Sequence, residues 1–222
     1  YCDWSSFYSI INYCNTLLYY APFVVDRDEN FTENDLHRAE AEAYAIRSLC
    51  YFYLVRAFKE VPWITDPSID DTQDYNYPKE SEDVILNHLI EDLTNARQYA
   101  STDFGKQSYN KGRFTRNGID ALLADIYLWK KDYSKCVESC NNIIADKNLK
   151  LVEADLMYSQ VFYLGNSTES IFELQFNEDV QKNYPVFELY GVNGNTQGEI
   201  AFPATVAYDT EEEIAGKYSP FK

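Results

Sequence analysis

Carboxylates are the commonest side chains capable of chemistry in this chain of 222 residues, with 36 Asp and Glu against 19 Lys and Arg. Pairs such as Glu40/Glu42 and Glu91/Asp92 hold the right groups for general acid and base catalysis. That work needs two carboxyl groups converging on a cleft, and these pairs read as solvated helix faces. Nucleophilic chemistry has less support. The two histidines, His37 and His88, stand near no Gly-x-Ser-x-Gly elbow. Gly191-Val192-Asn193-Gly194 is followed by neither a helix nor Lys-Ser/Thr, so it is no phosphate cradle. Cys2, Cys14, Cys50, Cys136 and Cys140 are odd in number and widely spaced, unlike a disulfide framework. Cys136 and Cys140 share a helix face without a further Cys or His at ligand spacing, so buried free thiols are expected. No catalytic residue, metal or cofactor is expected.

Binding chemistry has more to work with. Aromatic residues make up 16% of the chain, led by 20 Tyr and 13 Phe. An aromatic face ringed by amides and carboxylates suits a sugar, whose C–H face stacks while its hydroxyls form hydrogen bonds. Tyr184, Phe187, Tyr190, Asn193 and Asn195 bring those types together in one polar, Asn/Gly-rich stretch. Trp63, with Asp66, is a second candidate just past a helix end. For any one ring, sealing a loop onto the scaffold is the simpler role; the stretch as a group is the candidate site. Trp4 and Trp129 lie on helical stripes and are expected in the core.

Composition narrows the partners. A formal charge of −17 repels nucleic acid and disfavours anionic lipid. No apolar run approaches the roughly 18 residues a bilayer span requires; Leu17–Val25 is short and broken by Pro22. Tyr1 opens without a basic n-region or a small-residue cleavage site. Both ends are expected to lie inside a longer protein.

Five segments carry helical periodicity. The first, about Ser5–Tyr20, aligns Phe7, Ile10, Ile11, Cys14, Leu17 and Leu18, and Pro22 ends it. The second starts at Thr32 as N-cap with Asp35 in a variant of the capping box. Leu36, Ala39, Ala43, Ile46, Cys50, Tyr53 and Ala57 then form its stripe as far as Val61-Pro62. A loop over 62–78 carries Trp63, Tyr75 and Tyr77. The third helix, about Ser81–Ala100, turns Ile85, Leu89, Leu93, Ala96 and Ala100 inward. A loop over 101–111 leads to helices at about 115–130 and from 133 to near 145. These last two match tetratricopeptide spacing, with small Ala124 and Cys136 at the crossing and Tyr127 and Tyr133 wedging the turn. Past 150 the pattern changes, and Ser170–Asn177 alternates like a strand. The expected fold is mainly α: a tetratricopeptide-like helical-repeat bundle with long loops and a short β element in the C-terminal third. Residues 1–150 form the scaffold, and 151–222 a loop-rich segment of the same domain.

Four blocks together resemble the SusD/RagB family. Ala41-Glu42-Ala43-Tyr44-Ala45-Ile46-Arg47 through Phe58, closing on Val61-Pro62, is similar to its signature helix. Gly112-Arg113-Phe114-Thr115 leading to Ala121–Leu128 resembles its second hallmark helix, and Glu169–Phe176 the strand that follows. Trp4, Tyr8, Ile11 and Asn15 resemble the opening helix. Lys59-Glu60 departs from the usual Gly-Asp, which implies a differently shaped turn. The resemblance implies a non-catalytic lipoprotein on the surface of a Gram-negative outer membrane, its anchor upstream of Tyr1. It would capture oligosaccharide or polysaccharide, or sometimes peptide, as a lid on a TonB-dependent, SusC-like transporter. A helical-repeat scaffold that holds a protein partner and binds no small ligand is the alternative, with an all-helical glycosidase third.

Overall fold

The computed structural model describes residues 3–70 and 72–176, together with the backbone of a short hairpin at 192–193 and 196–197. Among the described residues the α-helices are, in order, α1 (Ser5–Tyr20), α2 (Pro22–Val25), α3 (Glu33–Phe58), α4 (Glu82–Tyr99), α5 (Gln107–Gly112), α6 (Arg116–Trp129) and α7 (Tyr133–Ile144), followed by a 3-10 turn at Ala154–Leu156 and a π-helical turn at Tyr158–Tyr163. α3 packs against α1 and α4, α4 continues onto α6, and α6 pairs with α7. The expected helical-repeat bundle is the observed fold.

α3 begins where its sequence says it should. Thr32 Oγ1 accepts from Asp35 N at 3.3 Å, and Thr32 N donates back to Asp35 Oδ2 at 3.1 Å. This reciprocal cap satisfies backbone donors that the first helical turn leaves without partners. The other end is less ordinary. Lys59 has φ +68° and ψ −63°, and Glu60 N donates to Phe58 O at 2.8 Å. That is a γ-turn at positive φ, a strained conformation for a side chain bearing Cβ. Lys59 thus takes a positive-φ conformation that glycine adopts more readily. Just beyond it, β1 (Val61–Pro62) pairs antiparallel with β2 (Lys79–Glu80), closing the base of the 63–78 loop.

The buried surface of α3 differs from the expected stripe. Leu36, Ala43 and Cys50 are buried, but Ile46, Tyr53 and Ala57 are exposed. Ala41, Ala45, Ser48, Phe52 and Val55 are buried instead, together with Arg47, Tyr51 and Leu54. The reason is geometric: with neighbours on several sides, α3 buries adjacent stripes rather than the single one a surface helix shows. On α1, Ile11 and Cys14 are buried as expected, whereas Ile10 and Leu17 are exposed. All five inward positions expected for α4 are buried.

Further corrections concern local structure and burial. The 101–111 loop contains α5, and Pro22 opens the short α2 rather than only ending α1. Residues 170–176 form no strand; Glu173 N donates to Lys111 O at 2.7 Å, a single backbone bond rather than a ladder. The short β element of the C-terminal third is instead β3 (Val192–Asn193), antiparallel to β4 (Thr196–Gln197). Trp129, expected in the core, is 40% exposed.

Candidate functional site

Arg47 organises the interior. The residue is 4% exposed, with Nη1 donating to Asn15 Oδ1 at 2.9 Å and Nη2 to Asp92 Oδ2 at 2.6 Å. The guanidinium lies 4.9 Å from the Tyr44 ring centre and 5.6 Å from that of Trp63. One side chain thus ties α1, α3, α4 and the loop together. Asp92, one of the carboxylates considered for acid-base work, serves as its counter-ion. Glu42, another, receives Arg113 Nε at 3.0 Å and Nη2 at 2.5 Å.

The loop carrying Trp63 is stitched to this node. Tyr8 hydroxyl donates to Pro62 O at 2.7 Å, and Asn15 Nδ2 donates to Ile64 O at 3.0 Å. Tyr51 hydroxyl accepts from Ile64 N at 2.8 Å. Burial pushes the Tyr8 and Tyr51 phenols upward, so both remain neutral hydrogen-bonding groups. Trp63 is half-buried. Its ring centre lies 4.4 Å from that of Tyr51 and 5.1 Å from that of His88, against which it stacks at 11°. Tyr184, Phe187 and Tyr190 lie outside the described residues, as does the side chain of Asn193, whose backbone belongs to β3.

Two concavities went unrecognised in the sequence. The first, of about 420 Å³, is polar and includes Asn110, Lys111, Asn117, Asp146, Asn148 and Thr168 in its lining. Lys111 is buried, and its ammonium donates to Ser170 O. Burial pulls its pKa down, against the opposing pull of Glu173 and Asp146. The backbone N–H of Asn148, at 2.9 Å, holds the Asp146 carboxyl below the usual range, with help from Asn117 Nδ2 at 2.6 Å. The first cause outweighs desolvation, which acts the other way. These residues come from α5, α6 and the segments around 146–148 and 168–171, too scattered for any spacing rule to group.

The second, of about 630 Å³, opens at the α6–α7 turn, where Trp129 and Tyr133 line it together with Lys59, Glu82, Asp83 and Asp125. Trp129 Nε1 donates to Glu82 Oε1 at 2.5 Å, and Lys59 Nζ donates to Glu82 Oε2 at 3.1 Å. The usable signal was a tryptophan ending a helix immediately before Lys130-Lys131-Asp132. Among the described residues, no group of three or more His, Cys, Asp or Glu could hold a metal ion.

The fold is a helical-repeat scaffold that holds the 63–78 loop over a buried arginine. Residues 1–128 match the SusD-like family model described as starch-binding, associating with outer membrane. The chain belongs to that family. It is 28% identical to SusD-like protein P2 of Formosa agariphila over 142 residues, 64% of this chain and 26% of that protein. SusD-like protein P38 of the same organism aligns with the whole chain at 22% identity, over 37% of its own length. The chain therefore spans about a third or less of these relatives. Among solved structures, a laminarin-binding SusD-like protein superposes with a TM-score of 0.68 at 25% identity, over 78% of this chain and 37% of that one. Surface glycan-binding protein A of Bacteroides fluxus gives 0.64 at 25% identity, over 79% and 36%.

Proposed function

We propose that this chain is part of a non-catalytic glycan-binding subunit at the cell surface that hands oligosaccharide to a TonB-dependent, SusC-like transporter. The observation that carries this reading is the superposition on a laminarin-binding relative across most of the chain. The family's association with the outer membrane supports the location. No described helix is long and apolar enough to cross a membrane; attachment through a lipid anchor is part of the proposal. The proposed ligand contacts are Tyr184, Phe187, Tyr190 and Asn193, with Trp63 at the edge of its loop. Rings of this kind stack on sugar faces while amides bond the hydroxyls.

The delivery step is tested by solubilising outer membranes that contain the tagged full-length protein and identifying what copurifies. A TonB-dependent transporter at near-equal amount is the expected result. Recovery of the protein alone, in membranes that also contain that transporter, overturns delivery. A chain that holds a protein partner but fails to bind any glycan would favour the scaffold reading instead.

A further inference from the structure

The groove at the α6–α7 turn has the chemistry of a sugar site, and its described lining consists of residues other than those proposed above. Its two aromatic residues are open to solvent, Trp129 at 40% and Tyr133 at 61% exposure. Exposed aromatic faces set side by side give a sugar ring something to stack on. Trp129 is nonetheless held firmly. Its Nε1 is fixed by Glu82 at 2.5 Å, and Phe52 meets the ring edge-on with centres 6.3 Å apart. Arg56 and Lys59 lie 5.3 and 5.4 Å from the ring centre. The result is a preorganised aromatic surface, which spares a ligand the entropy cost of ordering it.

Lys59 adds a second observation. It sits at φ +68°, and its ammonium reaches both Glu82 and the indole. Strained residues persist where the surroundings over-determine them, and they cluster at binding sites. Around the rings stand carboxylates able to accept from hydroxyls. Asp83 is paired with Lys130 at 3.1 Å, and Asp125 with Arg56 at 3.7 Å. At about 630 Å³ the groove falls within the roughly 300–1,000 Å³ of small-ligand sites.

The geometry points to a second saccharide subsite here, in which a pyranose stacks on Trp129 and Tyr133 and its hydroxyls bond Glu82, Asp83 and Asp125. This subsite rests on the glycan-binding reading and extends it to residues that the sequence candidates do not include. Trp4 and Trp63 lack this character, since both are half-buried against other rings.

The test is calorimetric titration of the full-length protein with laminari- and malto-oligosaccharides, comparing wild type with Tyr133→Ala, Tyr133→Phe and the Tyr133→Ala/Trp129→Phe pair. Tyr133 is exposed enough that its substitution leaves the fold intact, which a thermal melt verifies. Loss of one stacking ring should weaken binding roughly threefold to tenfold, and Tyr133→Phe should retain most of it. Wild-type affinity in the double variant overturns the subsite and leaves glycan binding standing. Silence of the wild-type protein with these sugars and with a wider polysaccharide panel overturns the glycan-binding reading, and the subsite with it.

Discussion

Arg47 and Asp92 meet at 2.6 Å between α3 and α4, with the arginine almost wholly buried and the aspartate partly so. Breaking a buried pair by removing one partner leaves an uncompensated charge, which costs about 3–5 kcal/mol. Asp92→Ala should therefore lower unfolding stability by about 3 kcal/mol, read from urea denaturation. Arg47→Met, which removes the buried charge itself, should cost less. Equal losses in the two variants would mean that packing, not the pair, sets the energy.

Lys59 offers a change in the opposite direction. Glycine adopts positive φ without the Cβ penalty, at a cost of chain entropy in the unfolded state. Lys59→Gly should raise stability by about 0.5–1 kcal/mol, despite losing an exposed ion pair with Glu82 that is worth little. A destabilised variant would show that the contacts of Lys59 with Glu82 and Trp129 outweigh the strain.

Thiol reactivity should divide by depth. Burial pushes the Cys50 thiol up to about 12, and burial likewise raises Cys14. The thiolate is the reactive form, so the native protein should leave both unlabelled by iodoacetamide at pH 8. Cys136 and Cys140 are only half-buried and should label first. Peptide mapping by mass spectrometry reads the order, which urea should abolish.

Acid sensitivity should pass through Asp146. Its folded pKa lies below the ordinary 3.8, held there first by the Asn148 N–H. The sign follows: the bonds to the ionised carboxyl stabilise the fold above pH 4, and that contribution is lost as pH falls through the lowered pKa. Asp146→Asn should reduce the urea midpoint at pH 7 and show a shallower decline between pH 4 and 2. A parallel decline in both proteins would place the acid sensitivity elsewhere.

How much of this was readable in advance depended on whether local or tertiary physics decided the outcome. The start of α3 was legible because Thr32 and Asp35 cap it with short-range bonds alone. α4 was legible because its buried positions form a simple stripe. The face of α3 was misread at Tyr53 and Ala57, since periodicity assumes one buried side and α3 has several. Nothing local to Arg47 marks it as buried; Asn15 and Asp92 approach it from other helices and compensate its charge. The strand expected at 170–177 alternates correctly, but its described part, 170–176, finds no ladder partner among the described residues.

The candidate site was less legible for the same reason. Trp129 sits on a helical stripe, yet α6 ends there and the stripe runs out into solvent. Neither Glu82 nor Lys59 lies near it in sequence, so their convergence belongs to the packing of α3, α4 and α6. Tyr184, Phe187 and Tyr190 remain a reading of composition.

Calorimetric titration of the full-length protein against a polysaccharide panel, with the sugars chromatographed afterwards, tests the central claim most directly. Saturable heat with every chain recovered at its original length is the predicted result. Shortened chains would reveal an enzyme, and absence of heat with all glycans would contradict a carbohydrate-binding role.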